Sequence, residues 1–392
     1  MHEPIDQKEN PDSWSDETGV EGIEALPKRV ERYGTAKKGA LDVAKYMAGC
    51  TKHQAMAAKV TGCGDYLLFR HFFTVDKVKL HAAQFCKKHL LCPLCAIRRG
   101  AKALAAYLAR WETIKAQRPK LQPFLVTLTV KDGPDLAERH RHLFKSQAAL
   151  WMRKHRGRGS VLDGVEGAVW SYEVKRGKGS GVWHPHLHMI ALAEVEPSAE
   201  RLSREWHEIT GDSFIVDVRP ISQDDPVAGF IEVFKYAVKF SDQEPADTVH
   251  AWETLRGKRL LASAGCFRGV EVPDELTDDC ADVEGLPFMD MLYRFTRAAG
   301  YSLELVTKGQ ERPREPRKQG REAYPLTEER RGLYERFRRL YLEELDRRGI
   351  VPGAKLIPPL PRARQVHDKR SAVYPLNQRT QKWEPPPKTT PH

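Results

Sequence analysis

The 392-residue chain has no apolar run long enough for a transmembrane helix, and its acidic N-terminus lacks the apolar core of a signal peptide. Both absences favour a soluble, cytoplasmic protein. Cysteine is scarce: there are seven, an odd number, and five of them fall between positions 50 and 95, which does not resemble a secreted disulfide framework. No internal repeat is present. No Gly-x-x-x-x-Gly-Lys loop is found either, which argues against an attached helicase. Positive charge, by contrast, is in excess. Lys and Arg number 64 against 53 Asp and Glu, a formal net charge of +11, so a polyanionic partner is favoured, although charge alone does not separate nucleic acid from acidic membrane. With 41% hydrophobic residues the chain can bury at least one large core, and two domains plus tails is the expected organisation.

The densest chemistry lies in Trp183-His-Pro-His-Leu-His-Met-Ile190. Histidines alternate with apolar residues, so a strand here points His184, His186 and His188 to one face, with about 7 Å between successive same-face residues. Upstream, Ala168-Val-Trp-Ser-Tyr-Glu-Val174 has strand composition, and the Gly-rich, basic stretch 176–181 between them reads as a turn. An antiparallel hairpin brings Glu173 towards His186 and His188, a credible divalent-metal site with His184 as an alternative third ligand. The plain alternative is a solvated edge strand, which the proline would suit.

Downstream, Phe230-Ile-Glu-Val-Phe-Lys-Tyr-Ala-Val-Lys-Phe240 carries apolar residues at three- and four-residue steps, the pattern of a short amphipathic helix. Glu232 and Tyr236 lie one turn apart, with Lys235 and Lys239 beside them. A tyrosine hydroxyl with a pKa near 10 is a poor nucleophile at neutral pH unless cations or a metal-polarised electrophile assist it. Taken alone, the stretch would suit a surface helix with a Glu-Lys pair.

In combination these stretches resemble the HUH endonucleases, and among them the rolling-circle replication initiators of small bacterial plasmids. The resemblance is carried, in family order, by the apolar strand Phe124-Leu-Val-Thr-Leu-Thr-Val130, by His184-Pro-His-Leu-His188, and by Glu232-Val-Phe-Lys-Tyr-Ala-Val-Lys239. Lys258–Gly269 is a weaker echo of a following Arg…Ser-Gly segment. The resemblance spans roughly residues 60–270. It implies that one Mg²⁺ or Mn²⁺ is held by His186, His188 and Glu173 or His184, and that Tyr236 attacks a phosphate of origin DNA that is single-stranded at the nick. A 5′-phosphotyrosine link and a 3′-OH primer would result. Lys235 or Lys239 would stabilise the transition-state charge, and Glu232 would activate water for termination. Host helicase and polymerase would follow, with no membrane partner; a homodimer is an open possibility. Two other readings stand beside this one: an HUH transposase or relaxase, and a non-catalytic zinc-bearing DNA-binding protein.

Cys63, Cys86, Cys92 and Cys95 form the cysteine cluster, with Cys92-Pro-Leu-Cys95 as its tight pair. Four thiolates suit structural Zn²⁺, with His81 and His89 as alternative ligands and Cys50 as a spare; a redox or merely buried Cys-x-x-Cys is the rival. The plasmid initiators that the chain resembles often carry such a segment. Arg98 and Arg99, on the helix that follows, are expected to contact DNA, as are Arg176 and Lys178 in the turn. The expected organisation is a disordered leader (1–40), a zinc-binding and helical segment (41–118), an α+β domain with an antiparallel sheet and flanking helices (119–307), and a basic linker, helix and disordered tail (308–392).

Overall fold

The computed structural model of the protein describes residues 22–157, 159–177, 180–235 and 243–310. All belong to the first of two units, Met1–Glu322; the second, Ala323–His392, including the expected helix from Thr327, lies outside the described residues, as do most of the leader and the linker. From the N-terminal side, helices α1 (Leu26–Ala48) and α2 (Gln54–Thr61) lead to strands β1 (Tyr66–Phe72) and β2 (Lys77–Ala83). Then come α3 (Pro93–Gln117), β3 (Gln122–Thr129), α4 (Leu136–His155), β4 (Val165–Arg176), β5 (Trp183–Ala193), α5 (Ala199–Thr210) and β6 (Val216–Pro220). Helices α6 (Val227–Phe234) and α7 (Pro245–Leu255) and strands β7 (Leu261–Gly265), β8 (Pro287–Thr296) and β9 (Gly300–Gln310) complete the described part. The class is α+β, with two antiparallel sheets ordered β2-β1-β8-β9 and β6-β3-β5-β4-β7.

Local chemistry sets several of the boundaries. The Asp135 carboxylate accepts from the amides of Ala137 and Glu138 and starts α4; Ser198 accepts from Arg201 and starts α5. Gly211, with φ 70°, ends α5 in the left-handed conformation that glycine adopts without a Cβ penalty. At Gly265 φ is +61°, and a Cβ there would collide with the Glu166 carbonyl, so the glycine of the 258–269 segment is required by the close approach of β7 to β4. The helix expected from Ala246 to Leu261 stops at Leu255, six residues before this edge strand begins.

Cross-strand partners share a sheet face. Register pairs Leu125 with Ile190, Val169 with Ile190, Thr127 and Ser171 with His188, and Glu173 with His186. One face therefore carries apolar residues at one end and polar residues at the other. The apolar end packs under α3 and α6: Leu125, Val169, Ile190 and Leu192 cluster with Tyr107, Trp111, Phe230, Phe234 and Phe267. The opposite face is covered by α4, where Trp151 stacks on Trp170 and Tyr172 donates to Gln147 at 2.9 Å. Phe144 leans on Tyr172 yet stays 47% exposed.

Three expectations are corrected. The leader does not extend to residue 40, because α1 begins at Leu26 and buries Leu26, Val30, Tyr33, Ala36 and Ala40. Nor does a boundary at 118/119 separate two domains, since β8 and β9 pair onto β1 and complete the N-terminal sheet. Arg98 is not a DNA contact. It is buried, donates to the Leu276 carbonyl at 2.7 Å and to the Tyr33 hydroxyl at 3.0 Å, and pairs with Asp278. Asp278 also pairs with Arg29 at 2.9 Å and accepts the Leu80 amide at 2.6 Å. Burial pushes its acid up, but Arg29, Arg98 and that amide hold it well below the usual carboxylate range. A paired, hydrogen-bonded buried ion of this kind is costly to break from one side.

On the inner face of α4, His140 is 3% exposed, its ring lies 5.5 Å from that of Tyr172, and neither ring nitrogen has a hydrogen-bond partner among the described residues. Burial, with a smaller contribution from Lys258, pushes its pKa down to about 4. The unfolded chain therefore binds a proton between pH 6.5 and 4 that the folded one refuses. Stability should fall through that window as pH drops, by about 2 kcal/mol at pH 5 from this group. Urea midpoints at pH 7 and pH 5 check this: His140→Phe should lose less stability than the parent on the same pH change.

Candidate functional site

At the polar end of the α3/α6 face, β4 and β5 bring Glu173, His186 and His188 together. His186 Nε2 lies 3.1 Å from Glu173 Oε1 and His188 Nε2 lies 3.3 Å from Glu173 Oε2, with the imidazole rings 5.2 Å apart and nearly perpendicular. One ligand atom from each falls within 4.8 Å of the others. Glu173 is 1% exposed and His186 20%, so the group is closed at its carboxylate and open at one imidazole. A buried carboxylate needs a compensating charge, and two imidazoles converging on it form a donor set that fits a divalent cation with coordination positions left open. On the far side, Thr127 Oγ1 lies 3.2 Å from His188 Nδ1.

His184 shares this face by alternation but stands outside the group, which corrects its candidacy as a third ligand. Its Nδ1 lies 2.6 Å from Asp132, and its Nε2 lies 3.4 Å from the Ser180 hydroxyl. The turn between the strands is held separately. Arg176 donates to the Gly181 carbonyl at 2.8 Å, pairs with Asp247 of α7 at 2.7 Å, and sits over the Trp183 ring. Half-exposed, it braces the hairpin and still presents charge at the mouth. Lys178 lies outside the described residues. Arg99 is partly exposed and donates to the Pro273 carbonyl at 2.7 Å.

Helix α6 lies on the same sheet face and runs directly into Lys235. Glu232 and Lys235 pair at 2.7 Å, one turn apart, with Lys235 mostly buried. Tyr236 and Lys239 lie outside the described residues. The chain re-enters at Gln243, whose side-chain amide donates to the Val174 carbonyl at 3.3 Å and accepts the Arg176 amide at 3.0 Å. Gln243 is thus tied to the strand that carries Glu173. Tyr172, the tyrosine adjacent to Glu173 in sequence, faces the opposite side under α4, where burial pushes its pKa up to about 12.

The cysteine cluster is built from the ends of three elements. Cys63 follows α2, Cys86 follows β2, Cys92 is the N-cap of α3, and Cys95 lies in its first turn. Sulfur separations of 3.4 Å (Cys63 to Cys95), 3.5 Å (Cys63 to Cys92) and 3.6 Å (Cys86 to Cys95) approach the ~3.8 Å edge of a tetrahedron with zinc–sulfur bonds of ~2.3 Å. Hydrogen bonding from Cys63, Cys92 and Cys95 holds the Cys86 thiol well below its ordinary pKa, while Cys63, Cys86 and burial push Cys92 and Cys95 up. Four protein donors form a closed set, suited to a structural rather than a catalytic ion. With all four sulfurs converging, His81, His89 and Cys50 are not needed.

Sequence reasoning missed Thr127, Asp132 and Gln243. For Thr127 a signal exists in its parity within the apolar run 124–130; the other two depend on loop positions that pattern does not give.

No helix among the described residues is long and apolar enough to cross a membrane. The sequence pattern of the replication protein family matches residues 77–287, from β2 to the start of β8. Among curated relatives, a "Protein rep" of Lactiplantibacillus plantarum is 28% identical over 248 residues, covering 57% of this chain and 76% of its own. A "Protein rep" of a Bacillus species is 26% identical over 66% of this chain and 92% of its own, and that of Bacillus amyloliquefaciens 24% over 70% and 89%. No solved structure matches. The matched span takes in the Glu173, His186 and His188 group, the Glu232 to Lys239 stretch and three of the four clustered cysteines, and the chain belongs to the replication protein family.

Proposed function

We propose that this protein is a plasmid rolling-circle replication initiator that nicks origin DNA. The observation that carries the reading is the convergence of Glu173, His186 and His188 on the sheet face where α6 leads into Lys235 and Tyr236. His186, His188 and Glu173 would hold one Mg²⁺ or Mn²⁺, which when bound polarises a phosphate oxygen and neutralises charge developing on it. The Tyr236 oxygen attacks the scissile phosphorus and gives up its proton. The bond from phosphorus to the 3′ oxygen breaks, that oxygen takes a proton, and the 5′ end is left on the tyrosine. The 3′-OH then primes synthesis by host enzymes. Lys235, with Lys239 next along the sequence, supplies positive charge to the anionic transition state. Glu232, paired with Lys235 at 2.7 Å, is one turn from Tyr236 in sequence and is the group to activate water when the round ends. The cysteine cluster holds Zn²⁺ as a structural ion, and the cytoplasm is where such an origin resides.

Single-stranded fragments of its own replicon, incubated with Mn²⁺ or with EDTA and run on a denaturing gel, test this. A protein–DNA adduct should form with Mn²⁺ and disappear with EDTA and with Tyr236→Phe. DNA binding without an adduct on any fragment would sink the nickase reading and leave a non-catalytic binding protein.

A further inference from the structure

We infer that Thr127 is a positioning residue for the candidate metal group, acting through His188 by serving both tautomers of its imidazole. The inference rests on the proposed metal role of Glu173, His186 and His188. His188 lies between two strands, and each places a hydroxyl directly opposite it: Thr127 on β3 and Ser171 on β4. Only one of these bonds the ring. Thr127 Oγ1 lies 3.2 Å from Nδ1, whereas the Ser171 hydroxyl, fully buried, has no hydrogen-bond partner among the described residues. The other nitrogen, Nε2, faces Glu173 Oε2 at 3.3 Å.

The two nitrogens share one proton in a neutral imidazole. Without a cation, an Nε2 proton satisfies Glu173, and the bare Nδ1 accepts from the Thr127 hydroxyl. With the Nε2 lone pair committed to a cation, the proton must sit on Nδ1, and the same hydroxyl oxygen accepts it. A hydroxyl both donates and accepts, so no rearrangement of the 7%-exposed Thr127 is needed on either side of binding. A backbone carbonyl in its place would favour only the second form. This gives the hydroxyl of Thr127, flanked by Val126 and Leu128, a role opposite His188.

Removing a partner of this kind from a metal-ligating histidine costs about 10–100-fold in metal affinity. The test is Mn²⁺ binding by calorimetry on full-length protein purified with zinc, so that the thiolates, which prefer zinc, are already filled. Thr127→Val, close in shape, should weaken Mn²⁺ at least tenfold; Thr127→Ser should stay within threefold of the parent. Ser171→Ala, which alters the same face without touching the ring, should stay within twofold. Melting of the metal-free proteins shows that each variant is folded. Thr127→Val binding within twofold of the parent overturns the inference while Glu173→Gln still loses Mn²⁺. A parent with no Mn²⁺ uptake that Glu173→Gln abolishes overturns the metal reading and this inference with it. Should Thr127→Val not fold, nitrogen-15 imidazole spectra of the parent decide: His188 should carry its proton on Nε2 alone and on Nδ1 with Mg²⁺. Retention on Nε2 under saturating Mg²⁺ overturns it.

Discussion

Glu173→Gln should slow nicking of single-stranded origin DNA by about a thousandfold, while leaving DNA affinity and the melting temperature at or above those of the parent. A polarising cation contributes several kcal/mol of transition-state stabilisation, and ~4 kcal/mol is a factor of about 10³. The carboxylate is 1% exposed and lies against the two imidazoles named above. Its neutral isostere keeps the shape and removes the charge that a divalent ion needs. Stability should not suffer, because the amide keeps the shape of the carboxylate and removes the cost of burying its charge. Nicking rates under single-turnover conditions, with thermal melting beside them, check this. A parental rate in Glu173→Gln would mean that the triad is not the catalytic centre, whereas a collapse in melting would mean that it is a structural ion pair.

Replacing Cys92 with Ser, or stripping the native protein with a strong chelator, should be more drastic and of a different kind. The four sulfurs join the ends of α2, β2 and α3, and the Cys63 carbonyl also accepts from the buried Lys37 of α1 at 2.7 Å. Free energies on the order of 10 kcal/mol attach to structural zinc sites, comparable with the whole stability of a domain. The expectation is a protein that loses its cooperative transition, or melts at least about 15 °C lower, and regains it when Zn²⁺ is restored to the stripped parent but not to Cys92→Ser. Atomic absorption should find one zinc per chain before stripping. An unchanged melt after verified zinc removal would make the cluster a set of packed thiols and nothing more.

Much of the five-stranded sheet was legible because its signals are local. The 183–190 alternation is a strand, as its period of two predicts. The site was legible for a related reason: period-2 alternation fixes which residues share a face, and a short Gly-rich turn limits the register. What the sequence hides is long-range. Helix α1 reads as a solvated leader because Arg29 and Lys37 fall on its buried face, and their partners stand elsewhere, Asp278 for Arg29 and the carbonyls of Thr61 and Cys63 for Lys37. Arg98 misleads in the same way, since a cation near a helix start suggests phosphate until its acid, 180 positions later, is known. His184 was indistinguishable from its neighbours at i+2 and i+4 until Asp132 was placed beside it.

The pairing of β1 with β8 also carries a consequence for the order in which the protein matures. Arg70 and Asp290, bonded at 3.1 Å across that pair, are 220 positions apart. At synthesis rates of ~5–20 residues per second, β1 waits on the order of 10–40 s for its neighbour to emerge from the ribosome. The four cysteines, all made by residue 95, are available throughout that interval, whereas the sheet they adjoin is not. The converging cysteines, the β1–β2 hairpin and the Lys37 bond to the Cys63 carbonyl are then what can hold the N-terminal third of the nascent chain, and the four-stranded sheet is finished by adding its late strands to an edge that has already formed.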